Sequence, residues 1–276
     1  MDQAEKLRNM IKEHKASKEA DSNGARVITI TSGKGGVGKS STAVNLAIQF
    51  RKLGYRVMIF DADFGLANIE VMFGAIPKFN LSDVIYRGKN LEDIIVEGPM
   101  GVKFISGGSG VFEMTNMSSD NLRYLTAKLS QLEAMTDIII VDTGAGISES
   151  VLQFITSCNE VVLITTPEPT SITDSYALLK ALKRHPDYDK ESTAVKVITN
   201  RVSNEEEGKT LFSKLSIVVN KFLQIELAHL GMIPQDTHIL KSVMQQQPVS
   251  IAYENSGASK AYEVIAKRLT QKCMGR

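Results

Sequence analysis

The chain has 276 residues, 43% of them apolar, and a formal net charge of +1. That is enough apolar material for one large core, and the near-neutral balance argues against a chain-wide nucleic-acid footprint. The two cysteines, Cys158 and Cys273, form no C-x-x-C pair, which leaves iron–sulfur and zinc chemistry unsignalled and fits a reducing cytoplasm. No apolar run approaches the roughly 20 residues of a membrane span and the charged N-terminus is unlike a signal peptide, so any membrane contact is expected to be peripheral.

In chain order, residues 1–24 are rich in charge and read as a flexible segment outside the core. Within them Ala4, Leu7, Met10 and Ile11 recur at helical spacing. That pattern is either a frayed terminus or a marginal amphipathic helix that needs a partner. From Ala25 to the end, short apolar runs alternate with longer helical patterns, the mark of an α/β domain with a mostly parallel, doubly wound sheet between two helical layers.

The first run, Val27 to Thr31, leads into TSGKGGVGKSST at Thr31–Thr42 and then a helix from Lys39 to Leu53, closed by Gly54. Strand, glycine loop and helix together satisfy the phosphate-loop pattern GxxxxGK followed by Ser or Thr. Gly33, Gly35, Gly36 and Gly38 allow the turns that gather backbone N–H groups around phosphate, with Val37 between them. Lys39 is expected to reach the β- and γ-phosphates, Ser40 to offer its hydroxyl to Mg²⁺, and Ser41 to extend the nucleotide contacts. Lys34 is a second cation inside the loop, where a phosphate loop has no need of one; an ordinary solvated lysine is the other reading.

Val57 to Phe60 is the next strand, and Asp61 and Asp63 stand at its carboxyl end, where ligands bind in doubly wound folds. After a short strand at Val102–Ile105, the glycines at 107–110 read as a turn, followed by a helix from about Ser119 to Met135. The run Ile138–Val141 ends in Asp142, suited either to the Mg²⁺ shell opposite Ser40 or to capping the next helix. Val161–Thr165 and Val195–Thr199 are further buried strands; the second ends in Asn200, whose amide suits the edge of a purine. Pro234, in the loop Met232–Asp236, is placed beside the base. The last helix, from Ala258, carries Tyr262, Ile265 and Leu269 on one face and basic residues off it, so residues 257–276 are either a membrane-surface helix or a helix packed on the sheet. The four histidines have no metal or catalytic spacing.

KGGVGKS, DADFGLAN, DTGAGI, the Pro-Glu-Pro-Thr-Ser loop and GMIPQD, in that order, resemble the deviant Walker A ATPases of the MinD/ParA family across nearly the whole domain. Gly144, where MinD-like chains usually have proline, and Asp2-Gln3-Ala4-Glu5-Lys6-Leu7-Arg8, which is similar to the pattern DQAxxLR, point to the flagellar-number branch of that family (FlhG or YlxH type). The resemblance implies a three-layer P-loop NTPase fold and an ATPase that uses ATP and Mg²⁺ and forms a homodimer around ATP. Lys34 would reach the partner's phosphates and act with Lys39 on the transferred group, and Asp63 would activate the attacking water. Asp61 and Asp142 would act through the Mg²⁺ shell, with Ser40 as direct ligand, while Asn200 would contact adenine.

It further implies a cytoplasmic switch, reversibly peripheral on the inner face of the cell membrane through an anionic lipid surface. Flagellar C-ring components are implied as partners, as is an FlhF-type GTPase stimulated by Asp2, Gln3, Ala4, Leu7 and Arg8, with Gln3 inserted. A ParA/MinD-type positioning ATPase acting on DNA or the division site is the alternative, with DNA disfavoured by the modest charge.

Overall fold

The computed structural model describes residues 24–64, 68–108, 114, 117–158 and 160–271. The N-terminal residues singled out above, Gly65–Ala67 and the segment after Gln271 lie outside the described residues.

Eight strands are present among the described residues: β1 (Arg26–Ser32), β2 (Val57–Ala62), β3 (Val96–Glu97), β4 (Lys103–Ile105), β5 (Ile138–Ala145), β6 (Glu160–Thr165), β7 (Ala194–Val202) and β8 (Leu227–Pro234). They form one sheet in the order β3-β4-β2-β5-β1-β6-β7-β8. Every pairing is parallel except β3 with β4 at one edge. Strand order turns back at β1, whose neighbours are β5 and β6, so the loop after β1 opens at the sheet's switch point.

Alternation along each strand divides the apolar side chains between two helical layers. Ile28, Ile30, Ile59, Ile138 and Ile140 pack under α1 (Lys39–Lys52), α2 (Asn68–Phe73), α9 (Val249–Ala252) and α10 (Gly257–Thr270), with α8 (Thr237–Met244) at the margin. Met58, Phe60, Ile139, Val141, Val161 and Leu163 face α3 (Leu81–Arg87), α4 (Ser119–Glu133), α5 (Glu149–Thr156), α6 (Pro169–Arg184) and α7 (Glu205–Leu223). The expected three-layer α/β sandwich with a mostly parallel sheet is what the chain forms. The glycine loop leaves the carboxyl end of β1, and Asp61, Asp142, Asn200 and Pro234 lie in the carboxyl-terminal halves of β2, β5, β7 and β8.

Candidate nucleotide and metal site

The loop between β1 and α1 is shaped by close approaches that admit no side chain. A Cβ on Gly33 would lie 2.1 Å from the Asp174 carbonyl of α6, and one on Gly38 would lie 2.4 Å from Asn200 Nδ2. Gly36 and Gly38 have φ of +74° and +98°, the left-handed region that favours glycine. Gly38 stands at the N-cap of α1, and no side chain caps the first turn, which also lacks any acidic residue. The amide groups there are left to an anion, with the positive end of the helix behind them. Lys39 and Ser40 are buried at the start of α1, and Thr42 fastens the turn by donating from its hydroxyl to the Gly38 carbonyl at 2.8 Å.

Asn200 takes part in this geometry in an unforeseen way. Its Nδ2 donates to the Val37 carbonyl at 2.7 Å, and its Oδ1 accepts from the Arg201 amide at 2.8 Å. The buried amide therefore braces the phosphate loop against β7. Pro234 ends β8 and sits against Gly257, where an added Cβ would lie 3.3 Å from Pro234 Cγ. Asp236 secures that corner by accepting from the His238 and Ala258 amides at 2.9 and 3.0 Å.

Beside the loop, the parallel register puts Asp61 on β2 directly across from Asp142 on β5. Both are fully buried, and Asp61 Oδ2 and both Asp142 oxygens have no hydrogen-bond partner of good geometry. Burial raises Asp142 to about 7 against the opposing pull of the Ser40 hydroxyl and the Lys39 charge, with the Asp63 carboxylate adding to the rise. Asp61 is raised well above the usual carboxylate range by burial and by Asp142. Orphaned carboxylate oxygens next to a serine hydroxyl fit a hard cation such as Mg²⁺. Asp63 donates its amide to Asp61 Oδ1 at 3.1 Å, and its own Oδ1 lies 3.7 Å from the position of a Cβ on Gly144.

Lys34 does not turn into the cradle. Its Nζ is held 2.6 Å from Glu168 Oε2 and 2.8 Å from Thr170 Oγ1, at the loop that opens α6. Lys34 in turn holds Glu168 below the usual carboxylate range. Neither partner of Lys34 was singled out from the sequence, although both lie in the Pro-Glu-Pro-Thr-Ser loop. An open groove of about 350 Å³ between α6 and α7, lined by Pro167, Ile172, Asn204, Leu211 and Lys214 among others, contains none of the expected phosphate or metal residues.

The structure corrects one assignment. Tyr262, Ile265 and Leu269, expected on a membrane-facing surface, are 0–1% exposed and belong to the core between α10, β8 and α1. Gly231 lets the helix come close, since a Cβ there would meet Ile265 Cγ1 at 2.8 Å. Arg268 fixes α10 to the Leu230 carbonyl at 2.8 Å, and Arg26 bonds the Leu269 carbonyl. The amphipathic pattern is real, but the sheet takes its apolar face.

A phosphate loop at the switch point of a parallel sheet, with two buried carboxylates opposite the first helix, defines a P-loop nucleoside triphosphatase. A family model described as ParA, an NUBPL iron-transfer P-loop NTPase, matches residues 23–270. The iron-transfer part of that description finds no C-x-x-C pair in this chain. The antiactivator FleN of Pseudomonas aeruginosa is 41% identical over 244 residues, spanning 88% of this chain and 86% of that protein. The flagellum site-determining protein YlxH of Helicobacter pylori is 33% identical over 273 residues, 98% of this chain and 90% of that protein. Among solved structures, the septum site-determining protein MinD of Pyrococcus horikoshii, complexed with Mg-ADP, superposes with a TM-score of 0.75 at 24% identity, covering 90% of this chain and 96% of that one. The chain belongs to the MinD/ParA family of P-loop ATPases, in the FlhG branch with the flagellar regulators. It is an ATPase of the positioning type.

Proposed function

We propose that the protein is a two-state switch that controls flagellar number or placement, in which Mg·ATP joins two copies and hydrolysis separates them. The observation that carries this reading is the division of labour between two lysines. Lys39 is buried at the cradle, where it serves the chain's own phosphates; Lys34 stands partly exposed beside it, its ammonium bonded to Glu168 and Thr170 at the rim. A cation at the rim is placed for phosphates brought by a second copy, so the site is complete only in the dimer.

In this reading Gly33, Gly35, Gly36, Val37, Gly38 and Ser41 bind the triphosphate through the loop backbone and the start of α1, while Asn200 and Pro234 border the base. Ser40, Asp61 and Asp142 hold Mg²⁺, which when bound offsets charge on the phosphates. Asp63 accepts a proton from the attacking water, and Lys34 and Lys39 neutralise charge that develops on the transferred phosphoryl group. The ATP state presents surfaces to flagellar C-ring components. Asp2, Gln3, Ala4, Leu7 and Arg8 form a separate activator for an FlhF-type GTPase.

Membrane attachment through the apolar face of α10 drops out of this reading. Outward from that helix stand Lys260, Lys267 and Val264, too little apolar area for stable attachment alone.

Light scattering of the purified chain with Mg·ATP tests the switch. Lys34→Ala is expected to remain monomeric, and Asp63→Ala to accumulate dimers because hydrolysis stops. An unchanged monomer–dimer balance in both variants overturns the reading.

A further inference from the structure

Gly107 and Gly108, the described part of the glycine stretch after β4 that reads from sequence as a turn, are built into the wall of the site together with Ser106. Ser106 is fully buried; its hydroxyl bonds the Glu70 carboxylate on α2 and accepts from the Gly108 amide at 3.0 Å. Its carbonyl accepts from the Leu81 amide at the start of α3, 3.0 Å away. Gly107 lies so close to the Asp63 segment that a Cβ would be 2.7 Å from the Asp61 carbonyl, 3.4 Å from Phe64 Cδ1 and 3.5 Å from the Asp63 carbonyl. Gly108, with φ of +81°, is likewise shut in by the Asn80 side chain, 2.8 Å from where its Cβ would be.

Two consecutive residues thus bear on the Asp63 segment and on the helix that follows it. Gly107 supports the backbone of Asp61 and Asp63 and the ring of Phe64, and Ser106 holds Glu70, the third residue of the helix into which that segment leads. We propose that Glu70, Ser106 and Gly107 form a clasp that positions Asp63 for water activation, with no contact of their own to the reacting atoms. The proposal rests on the reading of Asp63 as the group that activates water. Its physical content is that a carboxylate must sit within a fraction of an ångström of its productive place, while the phosphates are cradled by a different loop, the one after β1.

Steady-state ATPase rates, binding of a fluorescent ADP analogue and melting temperature are measured for Asp63→Ala, Glu70→Ala, Glu70→Gln, Ser106→Ala and Gly107→Ala. Glu70→Ala and Ser106→Ala are expected to lower kcat on the order of tenfold. Their nucleotide affinity is expected to stay within about twofold of the parent chain. Glu70→Gln keeps an acceptor for the Ser106 hydroxyl and is expected to recover most of the rate, which separates the clasp from a purely electrostatic role of the Glu70 charge. Gly107→Ala is expected to reproduce the kcat loss; should it not fold, Ser106→Ala carries the same test. If Asp63→Ala abolishes turnover while Glu70→Ala and Ser106→Ala keep the parental kcat, the clasp is wrong. If kcat, affinity and melting temperature fall together in Glu70→Ala, the contact is only structural and the proposal is again overturned. If Asp63→Ala itself retains turnover, the underlying reading of Asp63 fails, whatever the clasp variants do.

Discussion

Two aspartates held in register across β2 and β5 are the most constrained residues of the site, and their burial has a consequence that pH can expose. The ordinary carboxylate value is 3.8, and Asp142 is raised to about 7 in the fold, with Asp61 raised as well. Between those limits the folded chain binds more protons than the unfolded one. Their contribution to stability is therefore full below about pH 4 and is lost as pH rises through about 7. A cation that fits the orphaned oxygens reverses the loss by replacing the proton. The melting temperature of the metal-free chain is expected to fall more from about pH 5 to pH 8 than that of Asp142→Asn. The rise on adding Mg·ADP is expected to be larger at about pH 8 than at pH 6. Equal rises at the two pH values, read by scanning fluorimetry, would show both carboxylates already ionised before the metal arrives.

At this scale the phosphate loop was legible because glycine, lysine and serine at fixed spacing admit few alternatives. Asn200 was less so: amide chemistry announces a donor and an acceptor, but the partner on the Asn200 donor, the Val37 carbonyl, is 163 positions away in sequence.

Among the elements, α10 shows how a correct pattern can be assigned to the wrong neighbour. An amphipathic helix needs something to cover its apolar stripe, and periodicity is the same for lipid and for a sheet. The deciding contact, Gly231 against Ile265, is long-range and invisible to spacing. Tyr262 at its centre is wholly buried, and its hydroxyl, near Thr42, has no hydrogen-bond partner of good geometry, so the ring is what the core uses. Tyr262→Phe is expected to leave stability within about 1 kcal/mol of the parent or to raise it. Tyr262→Ala is expected to cost about 3–5 kcal/mol through the cavity. Urea unfolding measures both, and a mild Tyr262→Ala would place α10 outside the cooperative core.

Helix α7 is hard to read from the sequence for a different reason. Its buried residues Leu211, Leu215, Val219 and Leu223 repeat every fourth position after an Asn204 cap, but exposed Ile217, Val218 and Phe222 widen the stripe and blur its edge. The 3₁₀ turn at Glu92–Ile94 and the two-residue β3 are too short for any period to register.

Over the whole molecule, the chemistry and the first described residue, Gly24, sit at opposite edges of the sheet. The cradle, the carboxylates and Lys34 all follow the carboxyl ends of strands, whereas residues 1–23 join the body at Gly24, beside Glu133 of α4 and just ahead of β1 at its amino end. The seven residues of β1 separate the two by roughly 20 Å at the usual strand rise. A segment attached there can engage a partner without entering the nucleotide site or the face that Lys34 borders. If Gln3 and its neighbours act as an activator, the activity belongs to the segment and needs no ATP-bound dimer behind it. A peptide of Met1–Lys15 is therefore expected to raise the GTP turnover of an FlhF-type GTPase by itself, and the Gln3→Ala peptide to leave it at the basal rate. The full chain carrying Lys34→Ala, expected to stay monomeric, is expected to stimulate as well as the parent chain at equal concentration. Stimulation that disappears with Lys34→Ala would mean that the two edges are coupled, and the N-terminal segment could then no longer be treated as an independent module; no stimulation by the peptide or the chain would remove the GTPase from the list of partners.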